Sequence, residues 1–106
     1  MAAPRARGRY LWCMEPVIEH DAVEGRFTAT VDGRQAVLVY HRVDDRTVDF
    51  ASTYVPDALR GRHVGARLVR HALAWASAEG LHVVPSCWFV KVIGERTPEY
   101  RDLLSA

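Results

Sequence analysis

The stretch VPDALRGRHVGARLVRHAL, residues 55–73, contains the signals that decide the fold. Val55 and Pro56 end an extended run, and a turn that contains Gly61 and Gly65 follows directly. Beyond this turn the apolar residues recur at the spacing of an amphipathic helix; they are Leu68, Val69, Ala72, Leu73 and Ala76. The pattern therefore predicts a strand, a short turn and a helix in immediate succession.

Three alternating runs precede this stretch and predict an antiparallel meander. The positions expected to face the core are Phe27, Ala29 and Val31, then Ala36, Leu38 and Tyr40, then Val48, Phe50, Ser52 and Tyr54. The dipeptide Asp32-Gly33 favours a two-residue hairpin turn because both residues tolerate positive φ, and residues 44–46 supply the second turn. Consecutive strands should therefore pair antiparallel.

The remainder of the chain predicts one more strand and one more helix. Gly80 ends the first helix, LHVVP at 81–85 indicates a short buried strand, and a helix over 88–96 stops before Pro98. A strand, a crossover helix and a second strand normally place the two strands parallel. The expected fold is α+β, with a mixed, mainly antiparallel sheet, one parallel strand pair and two or three helices.

Length and composition favour a single soluble domain. We expect one domain over residues 17–106 and a mobile arm over residues 1–16. The net charge of +1 gives no overall field for nucleic acid or membrane, and no run approaches the ~18 apolar residues of a membrane span. The two cysteines, Cys13 and Cys87, have neither zinc-site nor disulfide-framework spacing. We therefore expect no metal and a reducing cytoplasm.

A strand that turns directly into a helix leaves the first helix N–H groups without partners and aims the positive end of the helix dipole at the turn. Arg60 and Arg62 add hydrogen-bond donors there, and Gly61 and Gly65 are small enough to let a phosphate approach the backbone. Neither the GxGxxG nor the GxxxxGK[ST] motif is present. The turn is expected to bind a diphosphate.

This stretch resembles the coenzyme A diphosphate loop of the GNAT superfamily of acetyltransferases. Its pattern is Arg or Gln, two residues, Gly, one residue, then Gly or Ala; Arg60 and Gly65 match the ends, whereas His63 replaces the usual first Gly. With TYVP at 53–56, PSCWFV at 85–90 and PEYRDLL at 98–104, residues from about 23 to 104 are similar to the minimal single-domain members.

The resemblance implies that acetyl-CoA is the cofactor and that its pantetheine arm lies where the parallel strands splay apart. The backbone near Tyr54 and Val55 would polarise the thioester carbonyl. By the same resemblance the cofactor-binding residues are Val55, Arg60, Gly61, Arg62, His63, Val64, Gly65, Ala66 and Arg67.

Tyr54 and Cys87 are the catalytic candidates. Tyr54 is expected either to donate a hydrogen bond or a proton to the leaving group, or only to pack across strands. Cys87 is either a nucleophile that forms an acetyl-cysteine, since exchange between two thioesters is nearly isoenergetic, or a buried core thiol. The small members of the family commonly carry His where this chain has Ser52, which removes one candidate base.

The function expected from these features is transfer of an acetyl group from acetyl-CoA to an amine acceptor, with a protein or peptide as one acceptor class. The alternative is a non-catalytic acyl-CoA-binding or sensing module, which the departures at His63 and Ser52 favour. A nucleic-acid-binding role is disfavoured because the basic residues that would carry it are not interleaved with exposed aromatics; they are Arg60, Arg62, Arg67 and Arg70.

Overall fold

The computed structural model describes residues 17–61 and 63–104, which form one sheet with two α-helices. The strands are β1 (Val17–Asp21), β2 (Arg26–Val31), β3 (Arg34–Asp44), β4 (Thr47–Tyr54) and β5 (His82–Val84). The helices are α1 (Val64–Ala78) and α2 (Trp88–Glu95), and 3-10 turns cover Asp57–Leu59 and Arg101–Leu103.

The sheet has the order β1-β2-β3-β4-β5, so every strand pairs with its neighbour in sequence. The first four strands are antiparallel and β5 joins β4 in parallel through the α1 crossover, which confirms the α+β prediction. Asp32 and Gly33 have φ values of 52° and 76°, as expected for the mirror-image hairpin turn. Strand β1 was not predicted, because only Ile18 and His20 alternate inward on this short run.

The core lies between the helices and one face of the sheet. All five apolar residues predicted for the inner face of α1 are fully buried. They pack on the buried side chains of β2 and β3, among them Phe27 and Leu38, and Val90 of α2 joins the same cluster. The alternate positions of these strands, such as Thr28 and Val37, are only half buried. In the described part of the chain the helices therefore cover a single face.

A β-bulge interrupts β4 in its middle. Tyr40 of β3 lies opposite Phe50, but the next residue, Val39, lies opposite Ser52, so that Ala51 is an extra residue on β4. The prediction of unbroken alternation holds for Val48 and Phe50, which are buried, and is wrong beyond them. The extra residue reverses the alternation, which leaves Ser52 and Tyr54 exposed and turns Thr53 toward the helix-covered face.

Strand β5 is short and pairs only with the first part of β4, where its last pair is Asp49 with Val84. One further hydrogen bond, from the Cys87 N–H to the Phe50 carbonyl oxygen at 3.0 Å, ties the start of α2 to β4. Beyond Phe50 the edge of β4 that faces β5 has no strand partner in the described residues. The two parallel strands therefore splay apart, as expected.

Two predictions cannot be compared with this fold. The expected mobile arm at residues 1–16, which includes Cys13, lies outside the described residues, and so does the expected diphosphate ligand Arg62. Among the residues that are described, no helix has the length and apolar character needed to cross a membrane.

Candidate functional site

A cleft of about 500 Å³ opens between the end of β4, the turn that follows it, the start of α1 and one side of α2. The turn and helix start line it with seven of the predicted cofactor-binding residues. The full lining is Thr53, Val55, Leu59, Arg60, Gly61, His63, Val64, Gly65, Ala66, Phe89 and Ile93. Arg67 is exposed on α1 just beyond this lining.

The start of α1 offers backbone N–H groups to the cleft. The first backbone hydrogen bond of the helix runs from the Arg67 N–H to the His63 carbonyl oxygen at 3.0 Å. The N–H groups of Val64, Gly65 and Ala66 precede this bond, and the side chain of the N-cap residue His63 does not cap them. The first N–H groups of a helix lie at the positive end of its dipole and are suited to an anion.

His63 has φ 62° and ψ 16°, which places a side-chain-bearing residue in the left-handed region. Outside glycine this region costs roughly 1–2 kcal/mol per residue. The chain therefore keeps the backbone conformation for which glycine is suited, although the residue is His. The His63 side chain therefore does not prevent a left-handed backbone at this point of the turn.

Gly65 has a packing role that the sequence did not indicate. A Cβ at this position would lie 2.9 Å from Cγ2 of Val55 and 3.1 Å from Cε2 of Phe89. The space is therefore filled by the protein's own side chains, and the glycine is needed to pack the helix start against the strand end. The expectation that Gly65 also lets a phosphate approach the backbone stays a prediction. Gly61, with φ 82°, has open space there.

Arg60 fastens the turn to the strand. Its Nε donates a hydrogen bond to the Val55 carbonyl oxygen at 3.1 Å, and its Nη1 lies 2.7 Å from Oδ1 of Asp57. The guanidinium remains largely exposed at the mouth of the cleft, and it has five N–H donors in all. Arg60 can therefore position the turn and still donate to an anion.

Cys87 adjoins the cleft behind Thr53. The half-buried Cys87 is the N-cap residue of α2, and its Sγ lies 3.6 Å from Oγ1 of Thr53, which lines the cleft. Tyr54 is instead 60% exposed and pairs with Val37 on the opposite face of the sheet. The structure thus brings one of the two predicted catalytic residues to the cleft and leaves the other outside it.

Four lining residues were not predicted as site residues. Phe89 and Ile93 stand four apart on α2, a helical spacing that was visible in the sequence, and Leu59 is the buried anchor of the 3-10 turn. Thr53 was missed because the bulge at Ala51 turns it toward the cleft. No cluster of three or more His, Cys, Asp or Glu side chains able to hold a metal occurs in the described ranges.

The mixed sheet, its splayed parallel pair and the helix that starts at the cleft define a small α+β acetyltransferase fold. The family model for GCN5-related N-acetyltransferases matches residues 26–103. The chain belongs to this family, and the family and the fold indicate an acetyltransferase.

Known proteins agree with this membership. Protein NATD1 of Homo sapiens is 37% identical over 91 residues, covering 82% of this chain and 80% of NATD1. Protein NATD1 of Bos taurus is 36% identical over 83 residues, covering 76% and 74%. The NMR structure of a GCN5-like protein from Staphylococcus aureus superposes with a TM-score of 0.68 at 27% identity, over 85% of this chain and 88% of that one. The predictions of family and fold are confirmed.

Proposed function

We propose that the protein binds acetyl-CoA in this cleft and transfers the acetyl group to an amine. The observation that carries the proposal is the start of α1, where Val64, Gly65 and Ala66 line the cleft beside Arg60. The diphosphate of the cofactor is the anion that this arrangement suits. Arg62 and Arg67 are further candidates for the phosphates of the cofactor.

The pantetheine arm would pass between β4 and α2. The cleft walls there are apolar, with Val55, Leu59, Phe89 and Ile93. Beyond Phe50 the edge of β4 has no strand partner among residues 17–61 and 63–104. The amides of an extended arm can pair with such an edge as a further strand would. The arm would then lead from the start of α1 toward Thr53 and Cys87.

The chemistry begins with a neutral amine. Deprotonating a lysine-like amine of pKa ~10.4 at pH 7 costs about 4.6 kcal/mol. In direct transfer the amine nitrogen attacks the thioester carbon, the C–S bond breaks, and the CoA sulfur leaves with the proton. In the covalent route Cys87 Sγ attacks the thioester carbon, the bond from that carbon to the CoA sulfur breaks, and the CoA sulfur leaves with the thiol proton. The amine then attacks the acetyl-cysteine carbon, the bond to Sγ breaks, and the Cys87 thiol is restored with a proton from the amine. Tyr54 is a candidate donor to the leaving group only if the acceptor side of the site reaches the opposite sheet face.

The proposed acceptor is an amine. A protein or peptide is one class of acceptor, because in the described residues no helix covers the second face of the sheet and this face is open to a large partner. The free thiol of Cys87 suits a reducing compartment. The cytoplasm is therefore part of the proposal.

Acetyl-CoA at 100 times its dissociation constant should stabilise the fold by about 2.7 kcal/mol and raise the midpoint of thermal unfolding by several degrees. Calorimetric titration gives the affinity directly. Arg60→Ala should weaken binding about tenfold, because it removes a donor and loosens the turn. Arg70→Ala, an exposed arginine outside the cleft lining, is the matched control and should bind as the unchanged protein does. If acetyl-CoA caused neither thermal stabilisation nor a heat of binding, the proposal would be refuted.

One observation favours the non-catalytic alternative. His63 and Arg60 are the ionisable side chains in the described lining, and neither Ser52 nor Tyr54 reaches it. Turnover separates the two functions: an enzyme releases free CoA from acetyl-CoA faster when spermidine or a lysine-containing peptide is added, whereas a binding module does not. In the covalent route the intact protein gains one acetyl group, and Cys87→Ser does not gain it.

A further inference from the structure

We infer that Thr53 and Cys87 together close the acyl end of the cleft and restrict the transferred group to acetyl. This inference rests on the proposed function, because it concerns the thioester end of the same cofactor. Thr53 is the lining residue that lies furthest back along β4, toward the point where β5 and β4 are still paired. An acyl chain longer than acetyl would have to extend past it.

Behind Thr53, β4 and the start of α2 are in direct contact. Cys87 Sγ lies 3.6 Å from Thr53 Oγ1, so the start of α2 touches β4 at this level. The hydrogen bond from the Cys87 N–H to the Phe50 carbonyl oxygen at 3.0 Å holds the two backbones together one step further back. Phe50 itself is fully buried. Together these contacts hold the start of α2 against β4, and we infer that they leave little room for further methylene groups.

We call Thr53 and Cys87 the floor of the cleft, and the packing of these two side chains sets the selectivity for acyl-chain length. Protein interiors are packed as densely as organic crystals, so an added methylene forces side chains or backbone to move. In enzyme pockets one methylene is typically discriminated by about 10–200-fold. The Thr53 and Cys87 side chains are both small, so truncating either one opens room for one or two methylenes without removing a large part of the core.

The test compares the binding of CoA, acetyl-CoA, propionyl-CoA and butyryl-CoA by calorimetry. The unchanged protein should bind acetyl-CoA at least about tenfold more tightly than butyryl-CoA. Thr53→Ala and Cys87→Ala should each reduce this ratio at least about fivefold, and the affinity for CoA, which has no acyl group, should stay the same. Thermal unfolding of each variant shows that it is folded.

Two control variants separate volume from other effects. Thr53→Val keeps the size of the side chain and loses the hydroxyl, so the ratio should stay as in the unchanged protein. Ser52→Ala changes the neighbouring residue on the opposite sheet face and should also leave the ratio unchanged.

The outcomes distinguish the two proposals. Suppose that CoA binds and that butyryl-CoA binds the unchanged protein as tightly as acetyl-CoA. The restriction to acetyl is then refuted, whereas the proposed cofactor site is retained. The same conclusion follows if the truncated variants keep the original ratio. If CoA and all of its thioesters fail to bind, the proposed function falls and this inference falls with it. Should Thr53→Ala not fold, Cys87→Ala decides the question alone.

Discussion

His63 and Gly65 stand two residues apart in the turn that leads into α1, and glycine matters at each position for a different reason. At His63 the backbone is left-handed, a conformation in which a Cβ is strained. At Gly65 the backbone is helical, but a Cβ would press on Val55 and Phe89. The first requirement is conformational and the second is steric. Stability should therefore rise when the side chain at residue 63 is removed and fall when one is added at residue 65.

We expect His63→Gly to increase the free energy of unfolding by up to about 1 kcal/mol, since the relief of left-handed strain exceeds the entropy that glycine adds to the unfolded chain. Gly65→Ala should decrease it by about 1–2 kcal/mol, because overpacking outweighs the gain in helix propensity. Urea denaturation measures both. If Gly65→Ala proved stabilising, the close contact with Val55 would not be a constraint.

Residue roles were the least predictable part of the site. The sequence indicated that the turn has an Arg-Gly pattern at the head of a helix, and Arg60, Gly61 and Gly65 do meet at one cleft. It did not indicate that Gly65 is a packing position, because that depends on Phe89, which follows it by more than one element of secondary structure. A contact between residues that are distant in sequence leaves no local pattern to read.

At the scale of elements, the bulge at Ala51 determines which side chains of β4 face the cleft. Three residue pairs of β3 and β4 are in regular register on each side of this residue. A bulge bends its strand and is common beside active sites. Here it lies where β4 loses its β5 partner, so it is placed to direct the strand end toward the start of α1. A second irregularity, at Val43 on β3, lies at the opposite end of the same strand pair.

Deletion of Ala51 should leave the protein folded, with a free energy of unfolding within about 1 kcal/mol of the original, because the flanking residue pairs form a regular ladder once the extra residue is removed. Binding of acetyl-CoA should fall at least about tenfold, since the strand end no longer bends toward the turn. Deletion of Val43 is the matched control and should retain binding. Calorimetry and urea denaturation measure the two properties, and equal loss of binding in both deletions would show that the bulge at Ala51 has no special role.

Elements were predicted well where periodicity is strong and badly where one residue breaks it. The α1 stripe and the Asp32-Gly33 turn carry clear local signals, and the structure agrees with both. Ala51 carries no signal, because alanine is compatible with a regular strand as well as with a bulge. Alternation alone therefore placed Ser52 and Tyr54 on the wrong face.

At the scale of the whole molecule, an aromatic cluster holds the edge strand β1 to the rest of the fold. The His20 ring stacks on Phe27 at 4.1 Å between centroids, and its Nε2 lies 2.5 Å from the Tyr40 hydroxyl oxygen. The edge of the ring also meets Trp75 of α1 at 4.8 Å. Burial, followed by the charge of His71, lowers the pKa of His20 below its usual 6.5, although Asp21 and Glu79 oppose the shift.

This lowered pKa makes stability depend on pH in a defined window. Above the unfolded pKa of 6.5, His20 is neutral in both the folded and the unfolded state, and its contribution to the free energy of unfolding is fully present. As the pH falls from 6.5 toward the lower folded pKa, the unfolded chain binds a proton more readily than the folded one, so the free energy of unfolding decreases.

The variant His20→Gln keeps a polar partner for Tyr40 without this titration, and it should therefore lose less stability between about pH 7.5 and about pH 5. Urea denaturation at the two pH values gives the comparison. Other groups titrate equally in both proteins, so identical losses would contradict the assignment to His20.

The three residue pairs that join β5 to β4 are the narrowest connection in the sheet. Strands β1 to β4 pair with near neighbours in sequence, whereas β5 must wait for α1 to cross over, so contact order places its docking late in folding. Native-state hydrogen exchange should accordingly be faster at His82, Val83 and Val84 than in β2 and β3. A molecule bound between β4, the start of α1 and α2 would contact both the part of the chain that folds early and the part that follows β5. Its binding would therefore stabilise the part of the fold that forms last.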